Sequence, residues 1–404
     1  MPTYTYKAKK DPQHTIEGTL EASSENEAIE KINQLGLIPV HVQLQDAPSL
    51  PRIATSTLYA RVRPREITVF SRQLSSLLRS GVPILRALNI ILEQSESKSL
   101  QEVLRNIYAA VKEGITFSQA LTRYPKVFPA LFIALIRTGE DSGALADALL
   151  RIADYRRKQE EMFARFRMAM AYPLLMAVVG CGTVVFMLTF VMPRLMKMYL
   201  SMEQALPLPT RVLISVSQAL RVNWLWIMVF IAVAIALIRQ QSRTKAGKLS
   251  LSIFKINIPL FGKFILKAEL ARFCRTLELL MKSGIPILKA IDISIPVLDN
   301  EIIKRQLAQS YKELEQGGSF GKSLKSTAIF PLFMANLISV GEESGKLNDA
   351  LGEVANSYER DTDETIQVMS SLLEPLMILG MGLIVGFIVM AMLLPIFEIN
   401  MMVK

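Results

Sequence analysis

The sequence predicts a mainly helical, polytopic membrane protein with two homologous cytoplasmic helical bundles, three transmembrane helices and a small N-terminal α+β domain. Three observations support this fold class. The 404-residue chain is 51% hydrophobic and only 20% charged, which is too apolar for an ordinary soluble protein. Three long stretches contain no charged residue, and one series of motifs occurs twice.

The N-terminal residues 1–45 predict the small α+β domain. Two short stretches of strand character surround a turn, and Ser24 with Glu27 forms a capping box that opens a helix. Gly36 ends this helix, and a third strand follows. The next segment, 46–64, is predicted to be a linker on account of Pro48 and Pro51.

The strongest pattern is a duplication of the region after the linker. FSRQLSSLLRSGVPILRAL, which begins at Phe70, matches FCRTLELLMKSGIPILKAI, which begins at Phe273, at a sequence offset of 203. FPALFIALIRTGEDSGALADAL, from Phe128, matches FPLFMANLISVGEESGKLNDAL, from Phe330, at an offset of 202. Offsets that agree this closely argue against chance similarity.

Each copy predicts one cytoplasmic helical bundle, the first over residues 65–167 and the second over 239–374. Apolar residues recur at helical spacing in both copies, so one face of each helix is expected to be buried. The first helix of each copy is followed by a glycine and, two positions later, by a proline. Glycine suits the left-handed position after a helix, and proline suits the first turn of the next one. The residues of these two helix corners are Gly81, Pro83, Gly284 and Pro286.

The three uncharged stretches, 168–193, 222–238 and 375–397, predict the transmembrane helices. A bilayer core of about 30 Å needs roughly 20 helical residues, and the first and third stretches exceed this length. The second stretch lies at the lower limit for a span, and a buried core helix is its alternative. Trp224 and Trp226 at its start favour a membrane span, because indole rings prefer the headgroup layer.

Basic residues predict the orientation in the membrane. The chain opens with the polar sequence MPTYTYKAKK rather than a secretory signal. Six Lys or Arg side chains fall within 151–167 and five within 239–255, whereas the longer region 194–221 contains only four. This distribution predicts a cytoplasmic N-terminus and a periplasmic loop over 194–221. Alternation of the three spans then places a short tail, 398–404, on the periplasmic side.

These features together resemble the inner-membrane platform family of type II secretion and type IV pilus systems. The resemblance is carried by the duplicated SG-x-PIL corner, the duplicated GE-x-SG turn, the proline-bounded spans and the terminal LLPIFEIN. The opening Y-x-Y-x-A, the EGTLEAS segment and the GLIPV run resemble the N-terminal segment of that family, in the secretion branch more than in the pilus branch.

The resemblance implies a fold and a set of partners. It implies a protein of the bacterial inner membrane with two cytoplasmic domains of the six-helix-bundle type. It also implies a platform that couples a hexameric secretion ATPase to the extraction and polymerisation of pilin-like subunits. Other inner-membrane secretion components and further copies of the chain are implied as partners.

Two acidic motifs are candidate partner contacts or structural turns. Their residues are Gly139, Glu140, Asp141, Gly143, Gly341, Glu342, Glu343 and Gly345. Such a motif is suited to a basic ATPase surface or to a divalent cation such as calcium, but one turn supplies few oxygen ligands. The structural interpretation is a tight loop between helices, in which Ser142 and Ser344 cap the following helices. We therefore assign no metal site.

Two arginines, Arg72 and Arg275, recur beside the apolar stripes. We hypothesise that each pins its bundle by pairing with Glu140 or Glu342, since a half-buried arginine needs a carboxylate partner. A solvated arginine is the alternative.

In the third predicted span, Gly382 and Gly386 form a small-xxx-small face that lets another helix approach closely. Three occupants are alternatives for this face: a helix of the same chain, a second copy of the chain, and the helix of a pilin-like subunit.

Other function classes have less support. The net charge of +10 collects beside the spans, which favours lipid headgroups over nucleic acid. A transporter or channel component built from several chains is the alternative function, but the predicted spans contain no charged residue. The only histidines, His14 and His41, lie in the N-terminal domain, and Cys181 and Cys274 form no metal-binding pattern. With no phosphate-binding loop either, we expect neither enzymatic activity nor a cofactor.

Overall fold

A computed structural model describes residues 3–11, 14–22, 25–34, 36–44, 62–194, 207–241, 244–258 and 261–402. The chain divides into two compact units, Met1–Arg61 and Val62–Lys404. Within the described ranges the fold is mainly helical, as the sequence predicts. The predicted cap at Ser24, most of the linker and residues 195–206 lie outside these ranges.

The N-terminal unit contains a three-stranded antiparallel sheet and one helix. Its elements are β1 (Thr3–Asp11), β2 (His14–Glu21), α1 (Glu25–Gln34) and β3 (Ile38–Leu44). The sheet order is β2-β1-β3, so the first strand is central. Ala8, Ala28 and Ile32 are fully buried. Gly36 follows the helix with φ of 73°, a left-handed conformation that glycine adopts without steric cost.

The second unit begins with a module of six helices, which we call the first module. They are α2 (Pro64–Arg79), α3 (Ile84–Gln94), α4 (Lys98–Lys112), α5 (Phe117–Thr122), α6 (Ala130–Asp141) and α7 (Leu145–Phe186). The predicted start of the bundle at residue 65 is next to the first residue of α2. Its last helix does not end at residue 167 but continues through the following apolar stretch.

The second module repeats this order of helices. After α8 (Leu208–Gln241) and α9 (Lys245–Asn257), its helices are α10 (Phe261–Lys282), α11 (Ile287–Ser294), α12 (Glu301–Glu315), α13 (Phe320–Ser326), α14 (Leu332–Glu343) and α15 (Leu347–Met402). A short 3₁₀ helix, Ile295–Val297, follows α11. Helix α9 lies within the region predicted as the second bundle, but it precedes the six helices that match the first module.

Both module cores are built around phenylalanine rings from the repeated motifs. In the first module the ring centroids of Phe70 and Phe128 lie 6.2 Å apart, and those of Phe128 and Phe132 lie 5.0 Å apart. In the second module Phe273 and Phe320 lie 6.5 Å apart. All five side chains are at most 2% exposed. Burial of each such side chain contributes about 2–3 kcal/mol, so these rings are major contributors to module stability.

Within the described ranges, two helices are long and apolar enough to cross a membrane. The first runs over Leu145–Arg194 and includes a π-helical turn, Met187–Val191; the second runs over Leu347–Pro395 within α15. Helix α8 meets the same criteria only when its two segments, Leu208–Trp226 and Met228–Gln241, are taken together as one span. The two segments are bent by 51°. Asn223 within it has non-helical φ and ψ angles.

Two segments predicted to lie outside the spans contain helix. The sequence predicts a loop over 194–221, but the described part is helical from Leu208 onward. A buried stripe of Thr210, Leu213 and Ser217 at helical spacing explains this helix, because these side chains pack against the ends of other helices. The predicted tail after residue 397 is helical as far as Met402.

Candidate functional site

The first acidic motif joins the end of helix α6 to the start of helix α5 by hydrogen bonds. Glu140 lies in the last turn of α6, and its carboxylate accepts hydrogen bonds from the backbone N–H of Phe117 (2.7 Å) and of Ser118 (3.0 Å). The N–H groups in the first turn of a helix have no partner inside that helix. Glu140 therefore caps a neighbouring helix rather than presenting its charge to solvent.

The second acidic motif repeats this arrangement with one more donor. The carboxylate of Glu342 accepts from the Ser319 hydroxyl (2.7 Å) and from the backbone N–H groups of Phe320 and Gly321 (both 2.9 Å). In both copies the acidic motif is thus bonded to the first turn of a neighbouring helix, α5 or α13. The adjacent acids Asp141 and Glu343 are exposed.

Glycines surround each capping glutamate for two different reasons. A Cβ atom at Gly139 would lie 2.6 Å from Cβ of Ala148, and one at Gly341 would lie 2.5 Å from Cβ of Ala350, so helices cross closely at both positions. The glycines after the helices, Gly143 and Gly345, have φ values of 71° and 69°, which only glycine adopts readily.

The serines of the two motifs do not cap the following helices, so that prediction is wrong. Ser142 donates to the carbonyl of Thr138 and Ser344 to the carbonyl of Val340, each at 2.7 Å. Both serines are C-caps that keep right-handed helical backbone angles, and their hydroxyls therefore reach back into the preceding turn.

Metal binding at these motifs receives no geometric support. Among the described residues, no group of three or more His, Cys, Asp and Glu side chains is arranged to hold a metal ion. Each motif also commits one carboxylate to backbone N–H groups. The arrangement fixes helices and leaves one exposed carboxylate per motif.

The helix corners have the backbone geometry of a Schellman motif. Gly81 and Gly284 have φ values of 81° and 85°. In the first corner the N–H of Val82 donates to Leu77 O at 3.1 Å, and the second corner has the equivalent bond from Ile285. The prolines Pro83 and Pro286 are the N-cap residues of α3 and α11, one position before the first turn predicted for them.

The arginines have partners other than those predicted. Arg275 donates to Glu278 and to Glu359, each at 2.7 Å. Arg72 lies 3.8 Å from Asp154, and both side chains are about half exposed. The predicted pairing with the motif glutamates is therefore wrong. The physical reason is that backbone N–H groups already occupy those carboxylates.

The second module contains a charge network around the buried Glu278, which sequence reasoning missed. Glu278 also accepts from Lys282 at 2.8 Å, and a Cβ atom at Gly352 would lie 2.7 Å from its carboxylate, so this glycine makes room for the buried acid. Burial alone lowers the pKa of Arg275, but the hydrogen bond and charge of Glu359, together with Glu278, outweigh burial and raise it.

The network distinguishes the two copies. At the repeat offsets, Glu278 aligns with Ser75 and Glu359 aligns with Arg157, so the first module cannot form it. Comparing charges between the aligned copies would have revealed this difference from sequence.

The two modules contact each other along a seam formed by α7, α10 and α15. Arg151 donates to the carbonyl of Lys282 (2.8 Å), the hydroxyls of Tyr155 and Thr276 lie 2.9 Å apart, and Arg165 pairs with Asp363 at 2.7 Å. Burial raises the pKa of Tyr155. Sequence reasoning missed this seam because it treated each copy separately.

The glycines of the predicted spans differ in how closely other side chains approach them. A Cβ atom at Gly180 would collide with the Met381 side chain, so the first and third predicted spans pack closely there. Apart from the neighbouring backbone of the same helix, no described atom lies within 4 Å of a Cβ placed at Gly382 or Gly386. These two glycines are therefore open, and no described helix of the same chain occupies their face.

The first half of α8 binds the far end of the third predicted span. Pro395 has no N–H, so the carbonyl of Ala391, at the preceding helical turn, loses its helical donor. The Thr210 hydroxyl donates to that carbonyl at 2.6 Å.

The same helix binds the first span in an equivalent way. In the π-helical turn, Met192 N–H bonds to Met187 O, which is the i→i−5 pattern of a π-helix. In this pattern the donor for Leu188 O would be Pro193, which has none. The Ser217 hydroxyl donates to Leu188 O instead. One helix therefore satisfies the carbonyls that Pro193 and Pro395 leave unpaired.

Comparison with known families matches most of the chain, in three segments. The family described as type II secretion system (T2SS), protein F matches residues 70–193 and again residues 273–395. The N-terminal domain of type II secretion system protein F matches residues 1–43. The two matched segments correspond to the two copies of the duplication.

Curated relatives come from both systems. The chain is 32% identical to the type IV pilus assembly protein PilC of Thermus thermophilus over 400 residues, covering 99% of this chain and 98% of the relative. It is 30% identical to type II secretion system protein F of Vibrio cholerae, covering 99% of both chains. It is 31% identical to protein F of Pseudomonas aeruginosa over the full length of both.

Proposed function

This chain belongs to the type II secretion system protein F family, and we propose that it is the inner-membrane assembly platform of a secretion or type IV pilus machine. In this proposal it couples a cytoplasmic hexameric ATPase to the extraction and polymerisation of pilin-like subunits. The ATPase hydrolyses nucleotide, and this chain transmits movement without catalysing a reaction.

The observation that carries the proposal is the continuity of two helices. Helix α7 passes from the first module into an apolar stretch, and α15 does the same from the second. At about 1.5 Å per residue, the 56 residues of α15 extend about 84 Å, whereas a bilayer core is about 30 Å thick. A displacement of either module is therefore transmitted directly to membrane-embedded backbone.

The seam supports coupled movement of the modules. Arg151, Tyr155 and Arg165 all lie on α7, and each contacts the second module. These contacts make the two modules one mechanical unit, so a motor bound to one would displace both spans.

We propose that both modules and the N-terminal unit lie in the cytoplasm, with α8 supplying the return crossing. The basic residues on either side of the predicted spans support this orientation. The capping contacts of Thr210 and Ser217 at the far ends of the other two spans support a periplasmic location for the first half of α8.

A pair of matched variants tests the role of helix continuity. Met168 and Met170 are 68% and 37% exposed, so packing within the chain does not fix their identity. Glycine at both positions costs about 1 kcal/mol each in helix propensity, whereas leucine costs almost nothing. We expect the double glycine variant to retain co-purification with the cognate ATPase but to lose secretion or piliation, and the double leucine variant to retain both.

Two results would count against the proposal. Full secretion by the double glycine variant would show that α7 need not be continuous. Failure of the unaltered chain to co-purify with the ATPase, when both are made together, would remove the motor-coupling role.

A further inference from the structure

The segment after α8 has a pronounced charge bias. Between Glu203 and Glu269 the sequence contains no Asp or Glu. Seven Lys or Arg side chains fall within 239–267. Such a segment complements an anionic surface and is repelled by a basic one.

Helix α9 lies within this segment and has two different faces. Its buried residue Ser252 accepts a hydrogen bond from the backbone N–H of Glu301 at 3.2 Å, which seats the helix on the N-terminus of α12. On the other side, Ile253 is 44% exposed and Phe254 is 66% exposed. Phe261, at the start of α10, is 48% exposed. Three large apolar side chains are thus clustered in sequence without burial inside the chain.

The contacts of α10 show which of its ends is nearer the membrane. Lys267 pairs with Asp361 at 2.6 Å, Arg275 pairs with Glu359, and Glu278 lies against Gly352. The two helices are therefore antiparallel, and α15 enters its apolar stretch only after these residues. The N-terminal end of α10 is consequently the membrane-proximal one.

The bend between α9 and α10 then orients α9. The two helices meet at an angle of 113°. Since α10 runs antiparallel to α15, α9 runs across the direction of the spans. Phe261 lies about 9 Å nearer the membrane than Lys267 at ~1.5 Å per residue. Helix α9 also begins shortly after the end of α8 at Gln241.

We propose that α9 is an interfacial helix that binds the anionic phospholipids of the cytoplasmic leaflet. Ile253, Phe254 and Phe261 enter the headgroup–acyl boundary. The exposed lysines Lys248 and Lys255 lie nearly opposite Ile253 and Phe254 on the helix, so they attract anionic headgroups by their charge and do not insert among them. A lipid surface fits better than a protein partner, because the charge bias, the orientation and the short tether to a membrane-crossing helix all favour it. This role is separate from motor coupling, and its test requires no ATPase.

Spin labels in the full-length chain test the depth of the helix. The chain, with Cys181→Ala and Cys274→Ala, is reconstituted in nanodiscs of phosphatidylcholine mixed with phosphatidylglycerol. One label is placed by Phe254→Cys and a control label by Glu315→Cys. Glu315 is exposed at the far end of α12, about 21 Å along that helix from Glu301.

Collisions with oxygen and with a water-soluble nickel chelate distinguish the environments. We expect the label at position 254 to be accessible to oxygen and protected from the chelate, and the label at position 315 to show the reverse. Equal access of the chelate to both labels would overturn the proposal. Protection of position 254 from both reagents would also overturn it, because that result indicates a protein contact such as a second copy.

Lipid selectivity tests the lysines. We expect Lys248→Gln and Lys255→Gln each to weaken retention of phosphatidylglycerol, relative to phosphatidylcholine, by about fivefold. Lys312→Gln, on the distal part of α12, is the control and should retain the selectivity. Unchanged selectivity in the Lys248 and Lys255 variants would show that anionic lipid is not the ligand.

Discussion

Replacing a capping glutamate by glutamine should destabilise the helix that it caps, and the number of hydrogen bonds sets the size of this effect. In Glu342→Gln, the side chain keeps one carbonyl oxygen but loses its charge and places an N–H₂ group where donors converge. Hydrogen bonds to a charged group contribute about 1.5–3 kcal/mol, against about 0.5–1.5 kcal/mol for neutral ones. With three donors on the carboxylate, the expected local destabilisation is about 3 kcal/mol. Glu140→Gln, with two donors, should cost about 2 kcal/mol.

Hydrogen exchange of the full-length chain in detergent measures this effect. A loss of about 3 kcal/mol should accelerate exchange in a peptide containing Phe320 and Gly321 by about a hundredfold, since about 1.4 kcal/mol is a factor of ten. Glu343→Gln is the matched control, because it makes the same charge change at an exposed neighbouring residue. Equal acceleration in the Glu342 and Glu343 variants, or none in either, would refute the capping role.

Three further predictions concern packing, an unpaired carbonyl and a buried thiol. Gly341→Ala places a methyl group 2.5 Å from Cβ of Ala350 and should lower thermal stability by about 1–3 kcal/mol, while adding Ala350→Gly should restore part of the loss. Thr210→Val leaves the Ala391 carbonyl without its donor and should destabilise the chain by about 1–3 kcal/mol in the same thermal assay; Thr210→Ser should not. Burial raises the pKa of the Cys274 thiol, so the folded chain holds this thiol protonated. The stability that follows from this is fully present below the unfolded-state pKa of about 8.5, and it is lost as the pH rises above that value. Iodoacetamide should modify Cys274 at pH 9 only after unfolding, and rapid reaction of the folded chain would contradict this.

The parts of the fold that follow from local pattern could be predicted from sequence. The duplication, the helical character of both modules and the glycine-proline corners depend on repeat offsets, on the helical period and on backbone preferences. The apolar stretches can likewise be recognised from their length and their lack of charged residues.

The missed features depend on contacts between residues distant in sequence. Glu140 caps the helix that begins at Phe117, and no local signal distinguishes it from the exposed Asp141 beside it. The seam contacts of Arg151 and Arg165 join residues more than a hundred positions apart. The helix from Leu208 was hidden because its buried face is partly polar, and its hydroxyls bond to carbonyls freed by prolines elsewhere.

Cysteine labelling tests most directly the claim that two equivalent modules share one side of the membrane. Gln119 and Lys322 are exposed residues at matching positions of the two modules. In a background of Cys181→Ala and Cys274→Ala, single Gln119→Cys and Lys322→Cys variants are treated with a membrane-impermeant maleimide on spheroplasts. We predict that both react only after the membrane is permeabilised. Reaction of either one in intact spheroplasts would place that module outside the cytoplasm and contradict the platform architecture.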